Sequence, residues 1–390
     1  MDYRFWNRTT EGKWDWYPIR FLESNENLKK LLGENSQRTI STGLASDISV
    51  CLQQGRAFFE LSALSPLEIR PLQLFYGMVG FAKAVAVARK LERLDTLDRV
   101  HGLSDVSDPK GHIENFKLEF NSRGTFQAMN DSIKELEKLH VHTGKEIKKL
   151  TRATCGSDDL KGKTITLKSI LGRLPHLEDR YEETFREPAS VIHCGHFEVA
   201  VYEGRNWLEL SMHQYGLKQD REVFGKFIVE LRRKFGFLNK WCFVKAEWYD
   251  GVVSILFASA TDAVVGQSQE KLYETVRGFE SDSVQVLYAK ELTEKYIAEK
   301  TDPVSGNLVK GDTWVIEPYE GLTLSEMSLH YCAMFMIGSL VRYYPNIWTN
   351  VLSRRADDKA LPLIESFINL TTIRFPAMVT NAIREPYGSQ

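Results

Sequence analysis

The side chains that could do chemistry in this chain are few and scattered. His101 and His330 are the candidate catalytic residues, because a histidine exchanges protons near neutral pH and can act as an acid or a base. Tyr76, Lys83 and Arg342 are candidate binding residues in or beside apolar segments. We predict that Tyr76, Lys83, His101 and Arg342 form a polar cluster at the core of a helical fold.

The loop that follows His101 holds further residues that could bind a metal ion. Asp, Ser, Pro and Gly dominate residues 102–112, which predicts a loop. Asp105, Asp108 and His112 could join His101 as metal ligands or as an acid/base pair. Loops of this composition generally use such side chains for their own turn hydrogen bonds, and we favour that interpretation.

The sequence contains no established motif for a metal or a cofactor. His193, Cys194 and His196 are potential ligands, but His193 and His196 would point to opposite faces of a strand. The patterns Gly-x4-Gly-Lys-Ser/Thr, Gly-x-Gly-x-x-Gly, Gly-x-Ser-x-Gly and His-Glu-x-x-His do not occur. We therefore expect no metal and no cofactor, and whether the chain is an enzyme stays open.

One stretch is basic enough to suggest contact with nucleic acid. Residues 218–245 hold eight basic and three acidic side chains, with Arg232, Arg233 and Lys234 in succession. Clustered cations of this kind can bind phosphates. The outer face of an amphipathic helix explains the same pattern equally well.

The overall composition is that of an ordinary globular protein. The chain has 390 residues, of which 43% are hydrophobic and 26% are charged. Its net charge of −2 produces no field that would draw the whole molecule to nucleic acid or membrane. The five dispersed cysteines and the lack of a signal-peptide core near the first residues favour a cytoplasmic protein with reduced thiols.

An apolar helix must position the candidate residues. Between residues 71 and 88 the only strongly polar side chains are Gln73 and Lys83, which predicts a helix enclosed on nearly every face. Gly77 and Gly80 allow a second backbone to approach one side closely. The run is nearly long enough to cross a membrane, but Lys83 and the two glycines argue against a span, and we expect no membrane contact.

The remaining segments predict an α+β fold. We expect a helical core built from the N- and C-terminal thirds, with a small inserted α+β domain that carries a mainly antiparallel sheet. The inserted domain is inferred from predicted strands at 197–201 and 207–212, a predicted helix at 220–235 and a hairpin signal around Asp250-Gly251. The expected division is 1–185, 186–320 and 321–390, and an aromatic arm at 1–22 is expected to pack onto the body.

Several further elements are predicted from single capping or breaking residues. They are a helix capped by Asp131 and running to Leu150, a strand returning through Phe126, a helix opened by the capping box Thr323–Glu326, a helix at 360–373 stopped by Pro376, and short strands at 284–288 and 313–317.

A combination of short motifs resembles one family of bacterial proteins. The motifs are Pro71-Leu72-Gln73-Leu74-Phe75-Tyr76-Gly77 with Lys83-Ala84, His101-Gly102-Leu103, His330-Tyr331, and Arg342-Tyr343-x-Pro345-x-x-Trp348. Together they make the chain similar to the YaaC-like family, over the two helical thirds more than over the middle third. This resemblance implies the architecture and a bacterial cytoplasmic setting, and it carries no established activity. Proteins that look like this also occur beside phage-defence genes, which implies a defence role.

Three functional hypotheses follow from these observations. The first is a binding or regulatory component, in anti-phage defence, with a protein partner or a second copy of itself and with nucleic acid bound through the basic helix at 218–245. The second is a HEPN-type ribonuclease that cleaves RNA without metal and uses His101 or His330. The third is a purely structural scaffold subunit.

The ribonuclease hypothesis has weak support in the spacing of residues. Enzymes of that type carry Arg-x4-6-His on one helix, and only Arg186 to His193 has this spacing here. Pro188 and the strand signal that follows it place this stretch outside a helix. His330 shares a helical face with apolar neighbours, so a hydrogen-bonded core histidine is the preferred interpretation of that residue.

Overall fold

The computed structural model describes residues 9–10, 13–134, 137–142, 147–152, 154–194, 196–202, 205–213, 221–234, 238, 241–249, 252–259, 296–298, 313–355 and 358–387. The chain forms two compact units. A helical unit comprises Arg4–Leu136, Cys155–Ala189 and Leu324–Gln390, and a sheet unit comprises Met1–Tyr3, Glu137–Thr154 and Ser190–Thr323. The fold is therefore α+β, with a helical core drawn from both ends of the chain and a sheet-bearing part inserted between them.

The helical unit contains most of the helices. They are α1 (Tyr17–Leu22), α2 (Asn25–Ser36), α3 (Thr42–Ser62), α4 (Arg70–Lys90), α5 (Thr125–Ile133), α6 (Ser157–Leu160), α7 (Leu167–Leu171) and α8 (Glu178–Phe185), followed later in the chain by α10 (Glu326–Tyr343), α11 (Pro345–Leu352) and α12 (Leu361–Arg384). Its strands are β1 (Thr9–Thr10) paired with β2 (Lys13–Trp14), and β3 (Leu103–Asp105), β4 (Lys117–Phe120) and β7 (Thr164–Thr166) in one antiparallel sheet.

Helix α4 lies at the centre of the helical unit. It contacts α3, α5, α10 and α12, and Leu74, Phe75 and Phe81 have no exposed surface. Each such side chain contributes about 1.5–3 kcal/mol when it is fully buried, so the apolar composition of α4 holds these helices together. The prediction of an enclosed central helix is confirmed.

Small residues bring α3 and α4 into close contact. A Cβ atom placed on Gly80 would lie 3.0 Å from both the Cys51 carbonyl oxygen and the Gly55 nitrogen. A Cβ atom on Gly77 would lie 2.5 Å from the Phe59 ring. The two backbones can approach only because these positions lack side chains, as the spacing of the glycines predicted.

The C-terminal helices complete the same core. Every residue of α10 from Glu326 to Leu340 is buried, and both α10 and α12 pack against α4. This confirms that the last segment of the chain surrounds the central helix. Near the other end of the chain, the Trp16 ring lies 6.2 Å from the Phe59 ring and 6.5 Å from the Phe81 ring, so this residue of the aromatic arm packs onto the body, while residues 1–8 lie outside the described part.

One described helix, α4, meets the length and composition of a membrane span. The core helix of a globular protein meets the same criteria, and most of α4 is buried against other helices. The finding is therefore weak evidence for a membrane segment.

The sheet unit carries the remaining elements. They are β5 (Glu137–His142), β6 (Ile147–Arg152), β8 (Val191–Cys194), β9 (His196–Tyr202), β10 (Arg205–His213), α9 (Arg221–Lys234), β11 (Trp241–Tyr249), β12 (Val252–Ser259), β13 (Tyr296–Ala298) and β14 (Thr313–Ile316). The order β11-β12-β10-β9-β5-β6 forms one sheet, and β13-β14-β8 forms another. All neighbours are antiparallel except β5 and β9. The predicted strands, helix and hairpin of the middle third are confirmed, and the predicted strand at 284–288 lies outside the described residues.

The predicted helix from Asp131 to Leu150 is wrong. Helix α5 already begins at Thr125 and ends at Ile133, so Phe126 lies in a helix rather than in a returning strand. The following segment forms the hairpin β5–β6, in which Leu139 pairs with Leu150. Leu139 and Val141 alternate with histidines, which is the period of a strand, and this signal competes with the helical spacing of the other apolar residues.

Two predicted boundaries near the C-terminus are also wrong. The cap of α10 is Ser325, whose hydroxyl accepts a hydrogen bond from the Ser328 N–H at 3.0 Å, rather than Thr323. Pro376 lies inside α12 rather than at its end. A proline inside a helix costs about 3 kcal/mol, and the burial of apolar side chains on both sides of it, including Phe375 and Val379, offsets that cost.

Candidate ligand-binding site

Phe75 on α4 is the centre of the predicted polar cluster. The centroid of its buried ring lies 5.1 Å from that of the His101 ring and 5.2 Å from the guanidinium carbon of Arg342. The Tyr76 and His101 ring centroids are 6.3 Å apart. Lys83 lies two turns beyond Tyr76 on the same face of α4, and its charge acts on His101. We call Tyr76, His101 and Arg342 around this ring, together with Lys83 further along the same helix face as Tyr76, the Phe75 cluster.

The backbone around His101 is fixed by the start of α5. The carbonyl oxygens of Val100 and His101 accept hydrogen bonds from the Thr125 and Phe126 N–H groups at 2.9 and 3.0 Å. Gly124 has φ +141°, and a Cβ atom there would lie 2.4 Å from the nitrogen of Gly102. Only glycine fits this contact, so the sequence holds His101 in place through residues distant from it in the chain.

The electrostatic surroundings of His101 are cationic. Burial first, and then the positive charges of Arg342 and Lys83, lower the pKa of His101 from its ordinary value. Within the described part of the chain, no carboxylate forms a salt bridge with Lys83 or Arg342. The imidazole is therefore influenced by two basic side chains that have no carboxylate partner among the described residues, and such a group of donors can bind an anion.

Arg342 is held in place by aromatic rings and by its own helix. Its guanidinium carbon lies 5.1 Å from the Tyr343 ring centroid and 5.9 Å from that of Phe335. It donates hydrogen bonds to the Gly338 carbonyl at 3.3 Å and to the Ser339 hydroxyl at 3.4 Å. These contacts leave further N–H groups of the guanidinium for a ligand, because arginine carries five donors.

Tyr343 belongs to this site and was not predicted. Its side chain is 65% exposed directly beside Arg342, whereas Tyr76 is 37% exposed. The signal was present in the sequence, since Tyr343 follows Arg342 at the end of an apolar helix. Sequence alone does not distinguish an exposed tyrosine at a helix end from a buried one.

His330 belongs to a separate, fully buried network. Arg374 on α12 donates two hydrogen bonds to the carboxylate of Glu326, at 2.8 and 2.6 Å. His330 is 0% exposed, and its Nε2 lies 3.8 Å from the nearer Glu326 oxygen, beyond hydrogen-bond range. Burial acts to raise the pKa of Glu326, but the charge and hydrogen bonds of Arg374, together with the nearby His330, outweigh burial and lower that pKa. The network joins α10 to α12 and was not predicted.

The other nitrogen of His330 is a hydrogen-bond donor. Nδ1 lies 2.9 Å from the Thr371 hydroxyl, which itself donates to the Phe367 carbonyl at 2.8 Å. Because that hydroxyl has one proton, it must accept from Nδ1–H. Burial lowers the pKa of His330, so it is a neutral core histidine, which agrees with the preferred interpretation. A histidine without exposed surface does not touch an RNA phosphate in this conformation.

The prediction of a loop over residues 102–112 is wrong in part, because Leu103–Asp105 forms strand β3 and pairs with β4. The acidic side chains of this segment are used locally. Asp105 accepts a hydrogen bond from the Ser107 N–H and Asp108 accepts one from the Lys110 N–H, each at 2.9 Å. This confirms the interpretation as turn hydrogen bonds. In the described part of the chain, no group of three or more His, Cys, Asp or Glu side chains could hold a metal ion.

The remaining candidates lie on separate elements. Arg232 on α9 donates to the Trp241 carbonyl at 2.8 Å, so it ties the helix to β11. The side chains of Arg233 and Lys234 lie outside the described part. Arg186 ends α8 with a left-handed backbone and His193 lies in β8, so this pair is not on one helix.

Comparisons with known proteins identify the family of the chain. A family model described as YaaC-like Protein matches residues 19–383, and the chain therefore belongs to that family. Neither the curated proteins nor the solved structures gave a match.

Proposed function

We propose that this member of the YaaC-like family is a binding or regulatory component that recognises an anionic group of a ligand or partner at the Phe75 cluster. The observation that carries the proposal is the placement of Arg342 and a half-buried His101 at the same Phe75 ring, with Lys83 on the helix that carries this ring. Neither Lys83 nor Arg342 has a carboxylate partner among the described residues, and both charges act on His101.

The fixed position of Arg342 favours a specific ligand over a diffuse ion atmosphere. Its guanidinium is stacked on the Phe75 ring and hydrogen-bonded to its own helix, so little side-chain freedom is lost on binding. The backbone at His101 is likewise held by hydrogen bonds from the start of α5. A preorganised set of donors binds an anion more tightly than mobile surface lysines do.

The proposed setting is the bacterial cytoplasm, in anti-phage defence, with a protein partner or a second copy of the chain. The dispersed cysteines favour a cytoplasm with reduced thiols. The bacterial setting and the defence role come from the resemblance to the YaaC-like family. A partner with a phosphorylated or acidic segment would satisfy the same cations.

Titration calorimetry of the purified chain with inorganic pyrophosphate tests the proposal. Arg342→Gln and Lys83→Gln should each weaken binding about ten-fold or more, because a hydrogen bond to a charged group contributes about 1.5–3 kcal/mol. Lys90→Gln is the matched control, since Lys90 is exposed on the same helix. Equal affinity in all four proteins, or no binding at all, would refute the site.

The ribonuclease hypothesis has one observation in its favour. His101 is half-buried and its pKa is lowered, so its imidazole is neutral near pH 7, as a general base must be. Cleavage of RNA by the purified chain in EDTA that His101→Ala abolishes would support an enzyme. An intact RNA pool beside retained pyrophosphate binding would support a binding component.

A further inference from the structure

We infer that the anionic group bound at the Phe75 cluster is the phosphate of a nucleotide, and that the base of this nucleotide stacks on Tyr343. The inference rests on the proposed function and adds the class of ligand. It is drawn from the ring of Tyr343, its exposure and its contact with Arg342.

Tyr343 offers an unoccupied aromatic surface beside the cations. Its side chain is 65% exposed at the last position of α10. Arg342 is the neighbour on one side of its ring, at 5.1 Å, and no other ring contact involves Tyr343 in the described ranges. Because Tyr343 is 65% exposed, much of its surface is accessible to a flat partner.

Tyr76 differs from Tyr343 in its surroundings. Its ring packs against those of Phe58 at 6.0 Å, Phe75 at 5.8 Å and His101 at 6.3 Å. Three rings therefore pack around Tyr76, which is also less exposed than Tyr343. Of the two tyrosines, Tyr343 is the one whose ring is available for stacking.

The arrangement of charge and ring matches the chemistry of a nucleotide. A phosphate on Arg342 lies next to Tyr343, and in a nucleotide one sugar separates the phosphate from a planar base. Every base has a face that can stack on an aromatic side chain, and one such contact is worth about 1–3 kcal/mol. Inorganic phosphate satisfies the cations but leaves the exposed ring unused.

The same chemistry is present in a free mononucleotide and at a nucleotide of a single strand. Calorimetry of the full chain should therefore use five probes: inorganic phosphate, ribose 5-phosphate, adenosine 5′-monophosphate, an equimolar mixture of the four ribonucleoside 5′-monophosphates, and a single-stranded RNA decamer. Tyr343→Ala removes the platform, and Tyr343→Phe keeps the ring.

The expected result is that a mononucleotide or the decamer binds at least about five-fold more tightly than ribose 5-phosphate, the lower limit for one stacked base. Tyr343→Ala should remove this difference, so that the base-bearing probes bind no more tightly than ribose 5-phosphate to the same variant, while Tyr343→Phe should retain it. Tighter binding of the decamer than of the mononucleotides would identify a strand as the source.

Three results would overturn the inference. If the base-bearing probes bind no more tightly than ribose 5-phosphate, the nucleotide is refuted and the anion site stands. If Tyr343→Ala leaves the preference for these probes intact, stacking of the base on Tyr343 is refuted. If ribose 5-phosphate, inorganic phosphate and pyrophosphate all fail to bind, the proposed function falls as well.

Discussion

Replacing Arg374 with methionine should destabilise the helical unit strongly. Glu326 is only 1% exposed and accepts two hydrogen bonds from Arg374, at 2.8 and 2.6 Å. Without the guanidinium, a buried carboxylate loses its counter-ion, and breaking such a pair costs about 3–5 kcal/mol. We expect this loss in urea unfolding at pH 7, followed by the far-UV signal of the helices.

Matched variants separate the lost charge from lost packing. Arg20→Met removes an exposed salt bridge to Glu60, with Arg20 60% exposed, and should cost no more than about 1 kcal/mol. Replacing both members of the buried pair, Glu326→Leu with Arg374→Met, should recover most of the stability, because no charge is then left unpaired.

The effect of pH provides an independent test of the same reasoning. In Arg374→Met, burial is the largest influence left on Glu326 and only His330 opposes it, so the pKa of Glu326 should rise and the carboxyl group should take up a proton as the pH falls. The deficit relative to the natural protein should therefore shrink toward low pH. A cost below about 1 kcal/mol at pH 7, or a deficit that does not change with pH, would refute the account of a buried ion pair.

Three further outcomes are expected. Gly80→Ala should destabilise the protein by about 1–2 kcal/mol, because overpacking against the α3 backbone outweighs the gain in helix propensity. Gly225→Ala is the control: nothing lies within 4 Å of the added atom, so this variant should be more stable by up to about 1 kcal/mol. Thermal unfolding measures both changes. Gly124→Ala should lower the free energy of unfolding by about 1–3 kcal/mol and weaken pyrophosphate binding by moving His101. Unchanged binding would contradict the role of the Gly124–Gly102 contact in positioning His101. The pKa values of His101 and His330 are lowered in the folded protein, so below about pH 6.5 the unfolded chain takes up more protons than the folded chain. The free energy of unfolding should therefore fall as the pH is lowered from about 7.5 to 5.5. His330→Gln should reduce that fall.

The helical core could be predicted from sequence because composition alone determines its centre. A segment such as α4, with two strongly polar side chains between residues 71 and 88, has to be enclosed by other apolar surfaces. The hairpin β5–β6 could not be predicted in the same way. Its apolar residues fit a helical and a strand period, and pairing with β9, distant in sequence, decides between them.

Predictions of helix ends from a single proline or a short capping pattern were wrong where the burial of neighbouring side chains favoured a different boundary. Pro376 is a helix breaker by propensity, yet α12 continues through it because Phe375 and Val379 are buried in the core. The box Thr323–Glu326 matched a capping pattern, but Glu326 instead pairs with Arg374, which lies on another helix. Such a long-range partner leaves no local trace in the sequence.

Two residues of the candidate site could be placed together from the sequence. Tyr76 and Lys83 share a face of one helix, so their proximity follows from helical spacing. That His101 and Arg342 meet at Phe75 depends on the hydrogen bonds from the start of α5 to the backbone at His101 and on the packing of α10 against α4. Tyr343 could be recognised as a candidate only from the structure, because its exposure does not follow from the sequence.

The most direct test of the anion site is the NMR titration of the His101 ring with and without pyrophosphate. The His101→Gln spectrum assigns the signal. In the free protein the pKa of His101 should lie below its ordinary value, because the site is buried and cationic, and pyrophosphate should raise it by supplying negative charge. A pKa of His101 that does not change when pyrophosphate is added would contradict an anion site at the Phe75 cluster.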